Sequence, residues 1–148
     1  MQFEKLPTRY NSVIVCKNQQ RRSLLQQGLV DLRAFEIIRH CTTLADAQAK
    51  FNEGSTWHLV LIAPDYPFEE VTVFLEATRA FPKTVNAVQI LLSDSETSNP
   101  LSPWKDLHID GYLVAPYTMD SFKDLVALVG KILQHKLTNK KQRSFTIF

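Results

Sequence analysis

The feature that most constrains this chain is a series of five short apolar runs separated by helix-patterned segments. The runs are Ser12 to Cys16, Phe35 to Arg39, His58 to Ile62, Ala87 to Leu92 and Gly111 to Val114. They are continuous and rich in β-branched residues rather than alternating, which suits strands covered on both faces of a parallel sheet. The run from His58 to Ile62 is the most apolar and is therefore expected at the centre. Between the runs, Leu25, Leu29 and Leu32 recur at the spacing of an amphipathic helix. Leu44, Ala47 and Phe51 form the inner face of a second helix capped by Thr43, and Val71, Phe74, Leu75 and Thr78 that of a third, which stops at Pro82. Thr118 caps the last helix, whose stripe is Phe122, Leu125, Val126, Val129, Ile132 and Leu133. The segment from Asp94 to Asp110 is weakly patterned, and Pro100 and Pro103 disfavour a long regular helix there.

Strands alternating with helices predict an α/β fold. The expected form is a three-layer, doubly wound (βα)5 arrangement with a parallel five-stranded sheet and right-handed crossovers, as in flavodoxin-like proteins. At 148 residues and 45% hydrophobic composition, the chain suits one core. The compact domain is expected over residues 1–136, with residues 137–148 forming a flexible basic tail. That tail ends in the apolar stretch Phe145 to Phe148, suited to docking on a partner or a second copy. The formal net charge is +2, but without Lys136, Lys140, Lys141 and Arg143 it becomes −2. A slightly acidic body argues against a nucleic-acid partner. No apolar run approaches the ~20 residues needed to cross a bilayer. Cys16 and Cys41 lack CxxC spacing, and the first residues lack a secretory pattern, so a reduced, cytoplasmic protein is expected.

In folds of this kind ligands sit beyond the carboxyl ends of the strands, and the residues there resemble a known family. The third run continues through Ala63, Pro64, Asp65 and Tyr66 to Pro67. Ser93 follows Ala63 by 30 residues and Ala115-Pro116 comes another 22 residues on, with Tyr112 three positions before Ala115. This layout resembles the bacterial response-regulator receiver, the CheY-like domain of two-component systems. In that family an acidic pair follows the first strand, the phospho-acceptor aspartate ends the third with a proline four residues later, Ser or Thr ends the fourth, and Lys-Pro ends the fifth. The resemblance covers roughly Ser12 to Gln134.

The departures define the expected function. The acidic pair is Cys16-Lys17, the acceptor is Ala63 and the lysine is Ala115; of the reactive set only Ser93 is retained. Aspartyl phosphorylation needs carboxylates to hold Mg²⁺, an attacking aspartate and cations to offset phosphoryl charge. The resemblance therefore implies a degenerate receiver, a pseudo-receiver that is not an enzyme and needs no metal or cofactor. Lys17 is expected to fill the metal's space. Asp65 has three readings: a displaced acceptor, a partner of Lys17, or an exposed loop carboxylate. Arg21 and Arg22 read either as an anion site or as a solvated helix start.

Other chemistry finds little support. The glycines, Gly28, Gly54, Gly111 and Gly130, cannot make a GxGxxG or Walker A loop, and no GxSxG surrounds Ser93. His40, His58, His108 and His135 show no ligand spacing. The cysteines read as small buried hydrophobes. The leading expectation is a phosphorylation-independent interaction module that binds a protein partner, or a second copy, through the face receivers build from their fourth helix, fifth strand and fifth helix. Trp104, Tyr112, Pro116 and Tyr117 fall on or beside that face, with Trp104 either an anchor or a plug beneath a loop. Small-molecule sensing in the vacated pocket and weak phosphorylation of Asp65 are the alternatives.

Overall fold

Local capping chemistry punctuates the chain in the computed structural model, which describes residues 9–54, 56–93 and 109–146, with side chains as far as 138. The order is β1 (Tyr10–Val15), α1 (Gln19–Leu32), β2 (Phe35–Cys41), α2 (Leu44–Phe51), β3 (Leu59–Ile62), α3 (Phe68–Ala80), β4 (Val88–Ser93), β5 (Gly111–Val114) and α4 (Met119–Thr146). Asn18 caps α1 by accepting the Arg21 N–H at 2.8 Å, and Thr43 caps α2 by accepting that of Asp46 at 3.0 Å. Thr118 does the same for α4 through the Ser121 N–H at 3.2 Å, as its sequence position predicts. α3 starts on Pro67 without a side-chain cap, and Glu69 and Glu70 in its first turn complement the helix dipole instead. Phe81, held extended by the following Pro82, ends it.

The five strands form one parallel sheet in the order β2-β1-β3-β4-β5, with β3 at the centre. Successive side chains of a strand point to opposite faces, and this divides the core. Ile14, Leu61, Ile90 and Leu92 pack under α1 and α4 against Leu25, Leu29, Phe122 and Val129. Val13, Val15, Val60 and Ile62 pack under α2 and α3 against Ala47, Phe51, Phe74 and Leu75. Full burial of each such side chain contributes roughly 1.5–3 kcal/mol, so both layers hold the sheet.

α4 runs antiparallel to the strands. It begins near the carboxyl end of β4, where the Tyr117 hydroxyl lies 3.4 Å from the Ser93 carbonyl. It passes the amino ends of the strands at Lys136, whose Nζ donates to the Ala87 carbonyl and to Asp110 Oδ2, both at 2.9 Å. Asp110 Oδ2 also accepts the Gln89 N–H at 2.8 Å, so one ion pair clamps the helix to β4 and to the residue preceding β5. Beyond Lys136, α4 continues to Thr146, through most of residues 137–148 where the tail was expected. No proline or glycine interrupts residues 137–146. Trp104 and His108 lie outside the described residues. No helix among the described residues is long and apolar enough to cross a membrane.

Candidate functional site

Parallel register brings the ends of β1, β3, β4 and β5 together. The ladder runs one residue past each strand: Cys16 N–H donates to the Cys41 carbonyl at 3.0 Å, Ala63 N–H to Val15 at 2.9 Å and Ala115 N–H to Ser93 at 2.9 Å. Cys16 and Ala63 are completely buried and belong to the apolar layer on the α1 and α4 side. The position where receivers carry their acceptor thus presents a methyl group to the core. Ser93 is also buried, and its carbonyl receives both Ala115 and Tyr117.

The loop after β3 carries the site's carboxylate. Asp65 Oδ2 accepts the main-chain N–H of Lys17 at 3.2 Å, and its Oδ1 lies 3.6 Å from Nη1 of Arg21, on the first turn of α1. The Arg21 and Asp65 side chains are 20% and 25% exposed, so water still screens the pair, and its contribution is limited to about 1 kcal/mol. It nevertheless ties the β3–α3 loop to the β1–α1 loop. Arg22 stiffens the same corner by donating from Nη1 to the carbonyls of Cys16 at 3.0 Å and Lys17 at 3.1 Å. Both arginines are thus committed to loop contacts.

Lys17 does not fill the space over Ala63. Its ammonium lies 5.1 Å from the centroid of the Tyr66 ring, a cation–π distance, and only its backbone meets Asp65. The aromatic face draws the flexible stem outward, while the guanidinium of Arg21 takes the carboxylate. Tyr66 is fixed by its hydroxyl, which donates to the Thr42 carbonyl at 2.8 Å, and burial pushes its phenol up. The Cys16 thiol lies 3.9 Å from Asp65 Oδ2. Burial chiefly raises its pKa and the negative charge of Asp65 adds to this, outweighing the Asn18 backbone contact and the Arg21 charge. A thiol held protonated is a poor nucleophile and a poor metal ligand. Among the described residues, no group of three or more His, Cys, Asp or Glu side chains gathers to hold a metal.

The residues expected on the strand-five face separate. Tyr112, on edge strand β5, is 37% exposed. Tyr117 turns back to the domain, its ring centroid 6.5 Å from that of Phe122. The Ala115-Pro116 peptide bond between them is cis. Sequence reasoning missed two pairings, Arg21 with Asp65 and Lys17 with Tyr66, since nothing in the spacing says which of neighbouring cations reaches the loop. It also missed an open groove of about 600 Å³ between α2 and α3, lined by residues such as Leu44, Tyr66, Glu70 and Phe74.

Sheet order and layers are those of the α/β fold of response-regulator receivers. Solved structures with this fold include the signal receiver domain of an HD domain-containing protein from Pseudomonas fluorescens Pf-5, 17% identical, covering 97% of this chain and 99% of that one with a TM-score of 0.68. The chemotaxis response regulator CheY4 of Vibrio cholerae is 16% identical over 82% of this chain and 99% of its own, with a TM-score of 0.67. The bacteriophytochrome response regulator AtBRR is 15% identical over 84% and 94%, with a TM-score of 0.65. No family model matches the sequence, and no curated protein matches it.

Proposed function

We propose that the chain is a pseudo-receiver: a bacterial, cytoplasmic, non-enzymatic module of a two-component-type signalling system that acts by binding protein partners without aspartyl phosphorylation. The observation that carries this reading is Ala63, wholly buried at the end of β3 with its methyl in the apolar core. A phosphoryl group needs a carboxylate oxygen at that point, exposed to a donor and beside a metal. The neighbouring carboxylate, Asp65, is already engaged by Arg21 and by the Lys17 amide. Adding Mg²⁺ there would bring a divalent cation against a guanidinium, a repulsion that favours leaving the site without metal.

With no phosphoryl group to draw Ser93 inward and no lysine at position 115, the strand-five face has one resting arrangement in this reading. Partners engage Tyr112 at the β5 edge, with Pro116 and Tyr117 beside it and Trp104 on the preceding segment, and the compact domain that presents them is residues 1–136. Incubation with acetyl phosphate and Mg²⁺ followed by intact mass spectrometry tests the proposal. The expected result is an unchanged mass; a stable adduct of about +80 Da on Asp65 would make the chain a phospho-acceptor and end the reading. For a partner isolated from the native host, Tyr112→Ala should weaken calorimetric binding by roughly 1–3 kcal/mol.

A further inference from the structure

The groove between α2 and α3 is apolar and edged by carboxylates. Leu44, Ala45, Phe74 and Val73 give it an apolar lining, and Val73 is 64% exposed, a large aliphatic side chain left in water. Glu69 and Glu70 stand at its α3 side on exposed positions. Neither has an ion-pair partner among the described residues. Lys17 also borders the groove, its ammonium over the Tyr66 ring, so two carboxylates against one ammonium leave the lining with a net negative charge. An apolar trough edged by carboxylates suits a segment in which apolar side chains are flanked by cations.

The chain carries such a segment. Residues 140–148 contain Lys140, Lys141 and Arg143 with no acid, followed by Phe145, Ile147 and Phe148. Geometry prevents it from reaching its own groove. The groove lies over the α2 and α3 face, at the carboxyl ends of the strands, whereas α4 packs on the other face and leaves the domain at the amino ends, where Lys136 meets Ala87 and Asp110. The helix keeps that course to Thr146, ~15 Å beyond Lys136 at 1.5 Å per residue. It therefore carries residues 140–146 away from the home groove, where another molecule can take the segment they begin.

We infer that the α2–α3 groove receives the basic, apolar segment 140–148 of a second copy of this chain, with Lys140, Lys141 and Arg143 facing Glu69 and Glu70. The contact is head to tail, because each copy offers a groove at one end and a segment at the other. Such contacts close into rings, of which the reciprocal dimer is the smallest, or propagate into open chains. The interface is small, so association is weak, rises with protein concentration and falls with added salt.

Sedimentation velocity of the full chain over rising concentration tests this, with three variants checked for native fold by circular dichroism. The groove variant is Glu69→Lys with Glu70→Lys, the tail variant is Lys140→Glu, Lys141→Glu and Arg143→Glu, and the third combines both sets. The wild type should associate beyond the monomer as concentration rises. Each single set should weaken association at least about tenfold, and the combined variant, whose charges are exchanged but again complementary, should recover it. Recovery is a result that damaged packing would not give. The inference is overturned if the wild type stays monomeric to about 1 mM, if neither set changes the association, or if the combined variant fails to recover it.

Discussion

Replacing Gly28 with alanine should destabilise this domain, although alanine is the better helix former. In the interior of α1 the exchange gains about 1 kcal/mol of helix propensity. Against this stands the close approach of α4: a Cβ at position 28 would overlap Cε2 and Cζ of the Phe122 ring and lie 2.6 Å from its Cδ2. Carbon atoms pack best at about 3.5–4.0 Å, so ring or helix must retreat by roughly 1 Å. The ring is 3% exposed, held in the layer with Leu25, Leu29 and Leu125, and has no free volume to enter. Overpacking of a closed core costs about 1–3 kcal/mol, which exceeds the propensity gain and leaves a net loss near 1 kcal/mol. For a chain of this size that corresponds to a fall in Tm of about 2–4 °C. Calorimetric melting of Gly28→Ala, Phe122→Leu and the double variant checks the cause: with the ring replaced by the smaller leucine, Gly28→Ala should become neutral or stabilising. A rise in Tm for Gly28→Ala alone would refute the claim that α1 and α4 meet at this residue.

Acid should weaken the fold through His58. Burial lowers its pKa below the ordinary 6.5, and its Nδ1 accepts the Asn11 N–H at 2.9 Å, which only the neutral ring can do. Above the ordinary value both folded and unfolded states are neutral. As pH falls below it the unfolded chain takes the proton first, so stability measured in urea should decline from about pH 7 to about pH 5, and His58→Gln should flatten that slope. Both cysteines should resist alkylation in the native state, since burial raises Cys16 and pushes Cys41 up to about 11; native labelling by iodoacetamide at the rate of the unfolded chain would contradict this. Lys136→Met should cost about 1–2 kcal/mol in urea titration, because it removes charge-assisted bonds to Asp110 and Ala87. A change within error would show that water replaces them.

Much of the architecture follows from local pattern alone. Apolar runs such as Val13 to Val15 and Leu59 to Ile62 cannot expose either face, so they specify a sheet covered on both sides, and the most apolar run stands at its centre. Thr43 and Thr118 mark helix starts because their hydroxyls satisfy the N–H groups three residues on. The gathering of the residues that follow β1, β3 and β5 was legible too, since a parallel ladder necessarily brings them to one end. What the pattern leaves open is every choice among neighbours of similar chemistry. Arg21 rather than Lys17 takes Asp65 because helix α1 aims the guanidinium across the loop while the Tyr66 ring holds the ammonium. Nothing in the spacing around Gly28 shows that Phe122, 94 residues away, presses against it. Helical periodicity likewise cannot say where α4 stops being packed and continues anyway, since that depends on Lys136 reaching Asp110 and on the extension beyond. Sequence pattern reports what each segment must bury, whereas only packing decides which of the available side chains meet across the space between segments.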